Sequence, residues 1–234
     1  DKISNTSFQD RPEKFRLLEP IPNPSKIICL TFNYPNHAKE QNLTSTEDPV
    51  IFFKPRTALC GTGSNIICPS FVKQLDYEIE LAIIIGKTCK NVAEDKSIDC
   101  IFGYMTFNDV SARDIQMKDK QFTRGKSFDT FAPIGPWITS KDEIPEPQNL
   151  RLTTKINGQI RQDSSTKNMF IKIPSIVSKL SMVMTLEKGD IIATGTPEGV
   201  ALNNPDKSFL KDGDMIDMEI EKLGKISNTV KFID

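Results

Sequence analysis

The run Leu75-Asp-Tyr-Glu-Ile-Glu-Leu-Ala-Ile-Ile-Ile85 restricts the fold more than any other stretch of this chain. A strand alternates its side chains between faces, so Asp76, Glu78 and Glu80 share one face and Tyr77, Ile79 and Leu81 the other. From Leu81 onward both faces are apolar, Ala82 and Ile84 continuing the acidic face and Ile83 and Ile85 the opposite one. Such a strand is expected inside a sheet covered on both sides. Carboxylates gathered at its buried end repel one another and lose hydration, so they stay ionised only if a cation holds them. An oxygen donor set without His or Cys suits Mg²⁺, Mn²⁺ or Ca²⁺. Alternate residues lie ~6.6 Å apart along a strand, a gap two Glu side chains can close around one ion. The plainer alternative, which a bare Glu-x-Glu favours, is a solvated strand face.

The rest of the composition narrows the function by exclusion. Lys and Arg number 30 against 31 Asp and Glu, a formal charge of −1, which leaves no electrostatic footprint for nucleic acid or an anionic membrane. The one histidine, His37, excludes multi-histidine zinc sites. The five cysteines (Cys29, Cys60, Cys68, Cys89 and Cys100) are odd in number, form no C-x-x-C pair and lie in apolar surroundings. They read as buried small hydrophobes in a reducing compartment, cytoplasm or mitochondrial matrix. The longest apolar run, Leu81–Ile85, is a strand's length and far short of the ~20 residues of a membrane helix. The sequence starts at Asp1 without Met and leaves open whether a targeting segment precedes it.

Along the chain, residues 1–25, with Pro20-Ile-Pro-Asn-Pro24, read as an irregular arm and residues 26–234 as one folded domain. Ile27–Leu30 and Val50–Phe53 predict short strands, with about two helical turns over Asn36–Gln41 between them. Val92–Ile101 predicts a short helix feeding a strand at Tyr104–Asn108, and the Ser111-Ala-Arg-Asp114 spacing predicts a helix opening directly after Asp109. Lys141-Asp-Glu-Ile-Pro-Glu-Pro147 reads as a loop. Leu150–Ile156, Asn157-Gly158 and Gln159–Arg161 read as a hairpin. Pro174 opens a helix with Ile176, Val177, Leu180 and Met184 on one side, and Asp190–Thr194 and Asp214–Glu221 predict further strands. Strands clustered in runs make this a strand-rich α+β fold.

Several constellations could carry chemistry. Asp109, at a strand end, is the third candidate ligand beside Glu78 and Glu80, although alone it could equally be a cap. His37 and Glu40, at i and i+3 of a helix, share a face, where a carboxylate would orient the imidazole as a general base; a plain surface contact has the same spacing. Arg124-Gly-Lys-Ser127 resembles the end of a P-loop, but the required glycine is Lys120, which argues against nucleotide binding. Thr194-Gly-Thr-Pro-Glu-Gly199 could present backbone N–H groups to a carboxylate or be only a turn. There is no G-x-S-x-G elbow.

Five ordered stretches carry a resemblance. They are Asn33-Tyr34 with His37 and Glu40; Leu75–Leu81; Asn108-Asp-Val-Ser-Ala-Arg-Asp114; Gly125-Lys-Ser-Phe-Asp-Thr-Phe131 with Pro133 and Gly135-Pro136; and Ala193-Thr-Gly-Thr-Pro-Glu-Gly-Val200. Together they resemble the fumarylacetoacetate hydrolase superfamily, in particular its short single-domain members, from about Ser25 to the C-terminus. The resemblance implies a mixed β-sandwich roll with a few short helices, a homodimer, and Mg²⁺ or Mn²⁺ bound through Glu78, Glu80 and Asp109. It also implies Lys126 as an electrophilic partner, His37 and Glu40 as the proton-transfer unit, and a small 2-oxo acid as substrate. Thr196 falls in the turn that meets the substrate's carboxylate end, and with it Arg113 and Gln116 are assigned to substrate binding. Thr31 departs from the glycine that relatives carry upstream of Asn-Tyr.

Chelation by a doubly charged cation would make an enolate accessible near neutral pH. All the family's reactions pass through that enolate; the leading expectation is an enol–keto tautomerase of oxaloacetate because Gly125–Phe131 and Pro133–Pro136 look most like relatives with that assignment. The alternatives are an acylpyruvate or fumarylpyruvate hydrolase, an oxaloacetate decarboxylase, a 2-hydroxyhepta-2,4-diene-1,7-dioate-type isomerase, and, from a different class, a non-catalytic small-molecule-binding module.

Overall fold

The computed structural model describes residues 17–234. Its first half runs β1 (Ile27–Leu30), α1 (Pro35–Glu40), β2 (Ile51–Lys54), β3 (Leu59–Cys60), β4 (Asn65–Pro69), β5 (Leu75–Asp76), β6 (Ile79–Ile85), α2 (Glu94–Ser97), β7 (Ile101–Asn108), β8 (Ser111–Ala112) and α3 (Arg113–Asp119). The second half runs β9 (Ala132–Ser140), β10 (Arg151–Ile156), β11 (Gln159–Ser165), α4 (Ile173–Val183), β12 (Ile191–Ala193), β13 (Met215–Ile220) and β14 (Gly224–Ile233).

Seven strands form one sheet in the order β2-β1-β12-β6-β7-β9-β3, and five form a second in the order β11-β10-β13-β14-β4. Both are mixed: β1 runs parallel to β12 and β14 parallel to β4, while β6 is antiparallel to both of its neighbours. β6 is buried along its whole length, as its two apolar faces predict. Ile79, Leu81, Ile83 and Ile85 enter the larger core with Leu152, Ile216, Met218, Ile220 and Ile226 of the five-stranded sheet and Ile176, Val177 and Leu180 of α4. Ala82 and Ile84 enter a second core with Ile27, Cys29, Phe52, Met105, Phe107, Ile134 and Ile191, all from the seven-stranded sheet. One face of that sheet thus buries itself, which requires the sheet to curl; the result is a strand-rich α+β roll.

The hairpin is found where Asn157-Gly158 predicts it, both residues having positive φ (50° and 81°), as a tight two-residue turn requires. Two local expectations are corrected. The run Leu75–Ile85 is not one strand but breaks at Tyr77-Glu78, because β5 pairs with β8 while β6 pairs with β7 and β12. The helix after Asp109 opens four residues later, at Arg113, because Ser111 and Ala112 are extended to pair with Asp76 and Leu75. Ser111 Oγ therefore does not cap the helix; it donates to the Asp109 carbonyl (3.0 Å). Of the arm expected over residues 1–25, residues 1–16 lie outside the described residues. Residues 17–25 carry no helix or strand, and Ile21 packs on the second core.

Candidate active site

The break between β5 and β6 separates the three acidic residues that one strand face would have kept together. Asp76 turns to Arg113 Nε (2.9 Å) and accepts the backbone N–H groups of Tyr77, Ala201 and Leu202. Glu78 and Glu80 instead meet Asp109 from the end of β7, one carboxylate oxygen of each lying within 4.8 Å of the others. The Asp109 amide donates to the Glu78 carbonyl (2.9 Å), which ties the two segments at this point.

Each carboxylate of the trio has a distinct environment. Glu78 accepts from Arg113 Nη2 (2.5 Å) and Lys126 Nζ (2.7 Å). Burial alone would neutralise Glu78, but Lys126 and Arg113 outweigh it and hold the carboxyl well below the ordinary carboxylate range. Asp109 accepts from Lys126 Nζ (2.6 Å) and from Lys54 Nζ (2.5 Å), a fully buried lysine. Glu80 accepts the Gly195 amide (2.7 Å); burial first, then Asp109 and Glu78, push its carboxyl well up. Lys126 is held in its charged form against burial by Asp109 and Glu78, and its ammonium also lies 5.0 Å from the centre of the Phe52 ring. An all-oxygen, buried and net-negative trio fits a hard divalent cation, and Glu78, Glu80 and Asp109 could hold one.

α1 opens with Pro35 at its N-terminus and buries His37. His37 Nδ1 lies 3.4 Å from Glu40 Oε2, and Nε2 lies 3.1 Å from Gln41 Nε2. A carboxylate only accepts, so the proton sits on Nδ1 and Nε2 presents its lone pair, to which the Gln41 amide donates. Glu40 is held below the usual carboxylate range: burial opposes this, but the hydrogen bonds from His37 and Asn203 prevail.

These groups gather at one narrow cleft, part of it open to solvent. Its polar wall is His37, Gln41, Glu78, Arg113, Gln116, Lys126 and Thr196; Leu30, Thr31, Phe32, Phe52 and Phe122 close the other side. Every residue expected at the site is therefore at this cleft or one contact behind it, with Glu40 behind His37 and Glu80 and Asp109 behind Glu78. Arg113 is already committed to Asp76 and Glu78, and its Nη1 donates to Gln116 Oε1 (3.2 Å), which leaves the Gln116 amide N–H groups for an acceptor in the cleft. Thr31, the departure from the relatives' glycine, lines the entrance and donates to the Val50 carbonyl (3.3 Å).

Sequence reasoning missed Lys54, Gln41 and the aromatic wall. Lys54 had a usable signal: two residues after Phe52 on a strand, it shares that residue's inward face, where a lysine must find a carboxylate. Phe122 stacks on Phe52 (ring centres 5.6 Å apart) and meets Phe32 edge-on (6.0 Å) from distant parts of the sequence, which no local pattern announces.

Residues 26–231 match the family model described as fumarylacetoacetate (FAA) hydrolase C-terminal. The chain belongs to the fumarylacetoacetate hydrolase family. Among its relatives are oxaloacetate tautomerase YisK of Bacillus subtilis, 42% identical over 96% of this chain and 76% of that protein, and the mitochondrial oxaloacetate tautomerase fahd2 of Xenopus laevis, 44% identical over 92% and 68%. A solved fold of the fumarylacetoacetate hydrolase family, 5-carboxymethyl-2-hydroxymuconate delta-isomerase from Mycobacterium smegmatis, is 43% identical. It superposes with a TM-score of 0.83 over 94% of this chain and 83% of that one. The protein is thus an enzyme of the fumarylacetoacetate hydrolase superfamily.

Proposed function

We propose that the protein is a divalent-cation-dependent tautomerase that interconverts the enol and keto forms of a small 2-oxo dicarboxylate such as oxaloacetate. The observation that carries this reading is the placing of Glu78, Lys126 and His37 on the wall of one cleft, with Glu80 and Asp109 behind Glu78 and Glu40 behind His37. Two relatives bearing the name oxaloacetate tautomerase support it. Mg²⁺ or Mn²⁺ is the cation we assign to the trio, where it would supply stabilisation of negative charge developing on the 2-oxo oxygen.

The chain's own groups divide the remaining work. His37 Nε2 accepts from the Gln41 amide (3.1 Å) at the cleft wall; with a substrate hydroxyl in place of that amide it can take a proton from the enol and return one to C3, with no net change in protons. Glu40, fixed at Nδ1, stabilises the imidazolium formed between those two events. Lys126, held charged by Glu78 and Asp109 at the cleft wall, adds a positive group there that would favour negative charge on the substrate. Gln116 offers amide N–H groups to a carboxylate. The aromatic wall excludes water from the C3 side and limits the length of substrate admitted.

We also assign residues 26–234 to one catalytic domain, a homodimeric state, and a reducing compartment, the last because the five cysteines are odd in number and all buried. The test is the absorbance relaxation of oxaloacetate between its enol and keto forms, with Mg²⁺ and with EDTA. Acceleration with Mg²⁺ and its loss with EDTA are expected; a rate equal to that of buffer overturns the reading. Release of pyruvate from an acylpyruvate would assign hydrolysis instead.

A further inference from the structure

Gln162 lies on β11, an edge strand of the five-stranded sheet, yet it is only 1% exposed and its amide is saturated with hydrogen bonds. Its Oε1 accepts the Ile79 amide (3.2 Å) and the Thr154 hydroxyl (2.9 Å). Its Nε2 lies near Thr196 Oγ1 (3.0 Å), the Pro197 carbonyl (3.1 Å) and the Glu198 carbonyl (3.5 Å). The orientation is unambiguous: a backbone N–H only donates and carbonyls only accept, so the oxygen must face β6 and the nitrogen the 194–199 turn. Ile79 stands between Glu78 and Glu80, and Thr196 lines the cleft. One side chain from the second sheet thus bonds both segments that build the site.

Thr196 completes the connection. Its hydroxyl donates to the Ile79 carbonyl (2.9 Å) and accepts from Gln162, so its single proton is committed inside the protein and is not available to a substrate carboxylate. The hydroxyl acts as a strut between turn and strand. The same turn presses on β11 at Gly199, where a Cβ would meet the Arg161 carbonyl at 2.3 Å.

We propose that Gln162 is a positioning residue for substrate: it sets the spacing between the Thr196 turn and the acidic segment across which a 2-oxo acid is held. This inference rests on the tautomerase reading for its substrate and on the hydrogen bonds alone for its geometry. The two ends of the amide have separate duties, the nitrogen holding the turn and the oxygen holding Ile79. Gln162→Glu keeps acceptors for Ile79 and Thr154 but sets an oxygen against the Pro197 and Glu198 carbonyls; Gln162→Met fills the volume and removes every bond.

The experiment measures oxaloacetate kinetics with Mg²⁺, oxalate binding by calorimetry in Mg²⁺, and thermal unfolding for both variants, with Thr154→Val as a control that leaves the nitrogen end intact. The expected result is a KM raised about tenfold with kcat changed less than about threefold, and oxalate affinity weakened by a similar factor. Thr154→Val should alter KM by less than about twofold. A merely structural residue would lower the unfolding temperature and leave KM and oxalate affinity unmoved in the folded fraction. If the buried carboxylate unfolds Gln162→Glu, Gln162→Met carries the same test. Folded variants with wild-type KM and oxalate affinity overturn the proposal. A wild-type chain that binds oxalate but does not tautomerise oxaloacetate overturns only the functional reading, the oxalate arm still deciding Gln162. A wild-type chain that does neither overturns both.

Discussion

Four carboxyl groups, Asp76, Glu78, Glu80 and Asp109, face three cations, Lys54, Arg113 and Lys126, in the buried region around Ile79. Glu80 is the one left without a cationic partner among those ion pairs, which is why burial and its acidic neighbours push it up. A folded-state value above the unfolded one contributes stability below about pH 4 and loses it as the pH rises. Metal-free Glu80→Gln should therefore be more stable than the metal-free wild type near neutral pH, by an amount on the order of 2 kcal/mol that shrinks toward pH 4, in urea unfolding at several pH values. The same variant should lose Mg²⁺ binding by calorimetry. Lys54→Met acts in the opposite sense. It strips Asp109 and the Val110 carbonyl of a buried donor, and we expect a loss of about 3–5 kcal/mol in the same assay.

Legibility at the scale of elements depended on whether a segment's own pattern stated its environment. β6 was readable because a continuous apolar run can only be covered on both faces, and the 157–158 turn because Asn-Gly suits positive φ. The break at Tyr77-Glu78 was not readable: it is imposed by pairing with Ser111 and Ala112, more than thirty residues away. β9 was hidden by Pro133, Gly135 and Pro136, which argue against a strand although β7 and β3 pair with it. Glu78 and Glu80 stand out on the acidic pattern and Asp109 at a strand end, and the fold brings the three together, whereas the pattern alone groups Asp76 with them and the contact with Arg113 sets it apart. The turn carrying Lys126 gives a test at this scale. A Cβ at Gly125 would meet the Ala112 carbonyl at 2.9 Å and the Gln116 amide nitrogen at 3.0 Å, both backbone, so Gly125→Ala must push the 124–126 turn away from α3. The expected outcome is a stability loss of about 1–3 kcal/mol in denaturant with weaker Mg²⁺ affinity, since Lys126 moves with the turn.

For the whole molecule, the proposed cation is a ligand of the native state alone, because the trio is assembled from β6, the β5–β6 break and the end of β7 only on folding. Mg²⁺ should then raise the unfolding temperature in a saturable way, by the equivalent of about 2.7 kcal/mol at a hundredfold excess over its dissociation constant. EDTA should reverse the shift, and Glu80→Gln should show none by differential scanning calorimetry. The position of β6 has a consequence for how the protein opens. It lies fourth of seven strands, paired on both edges and packed on both faces, so its amides can reach solvent only when the whole domain unfolds. α1, six residues long with exposed Lys39 and Glu40, can fray on its own. In native-state hydrogen–deuterium exchange, Ala82–Ile84 should be among the slowest amides and residues 37–42 among the fast ones. The carboxylates would then stand on the part of the molecule that opens last, and the proton carrier on a part that opens early.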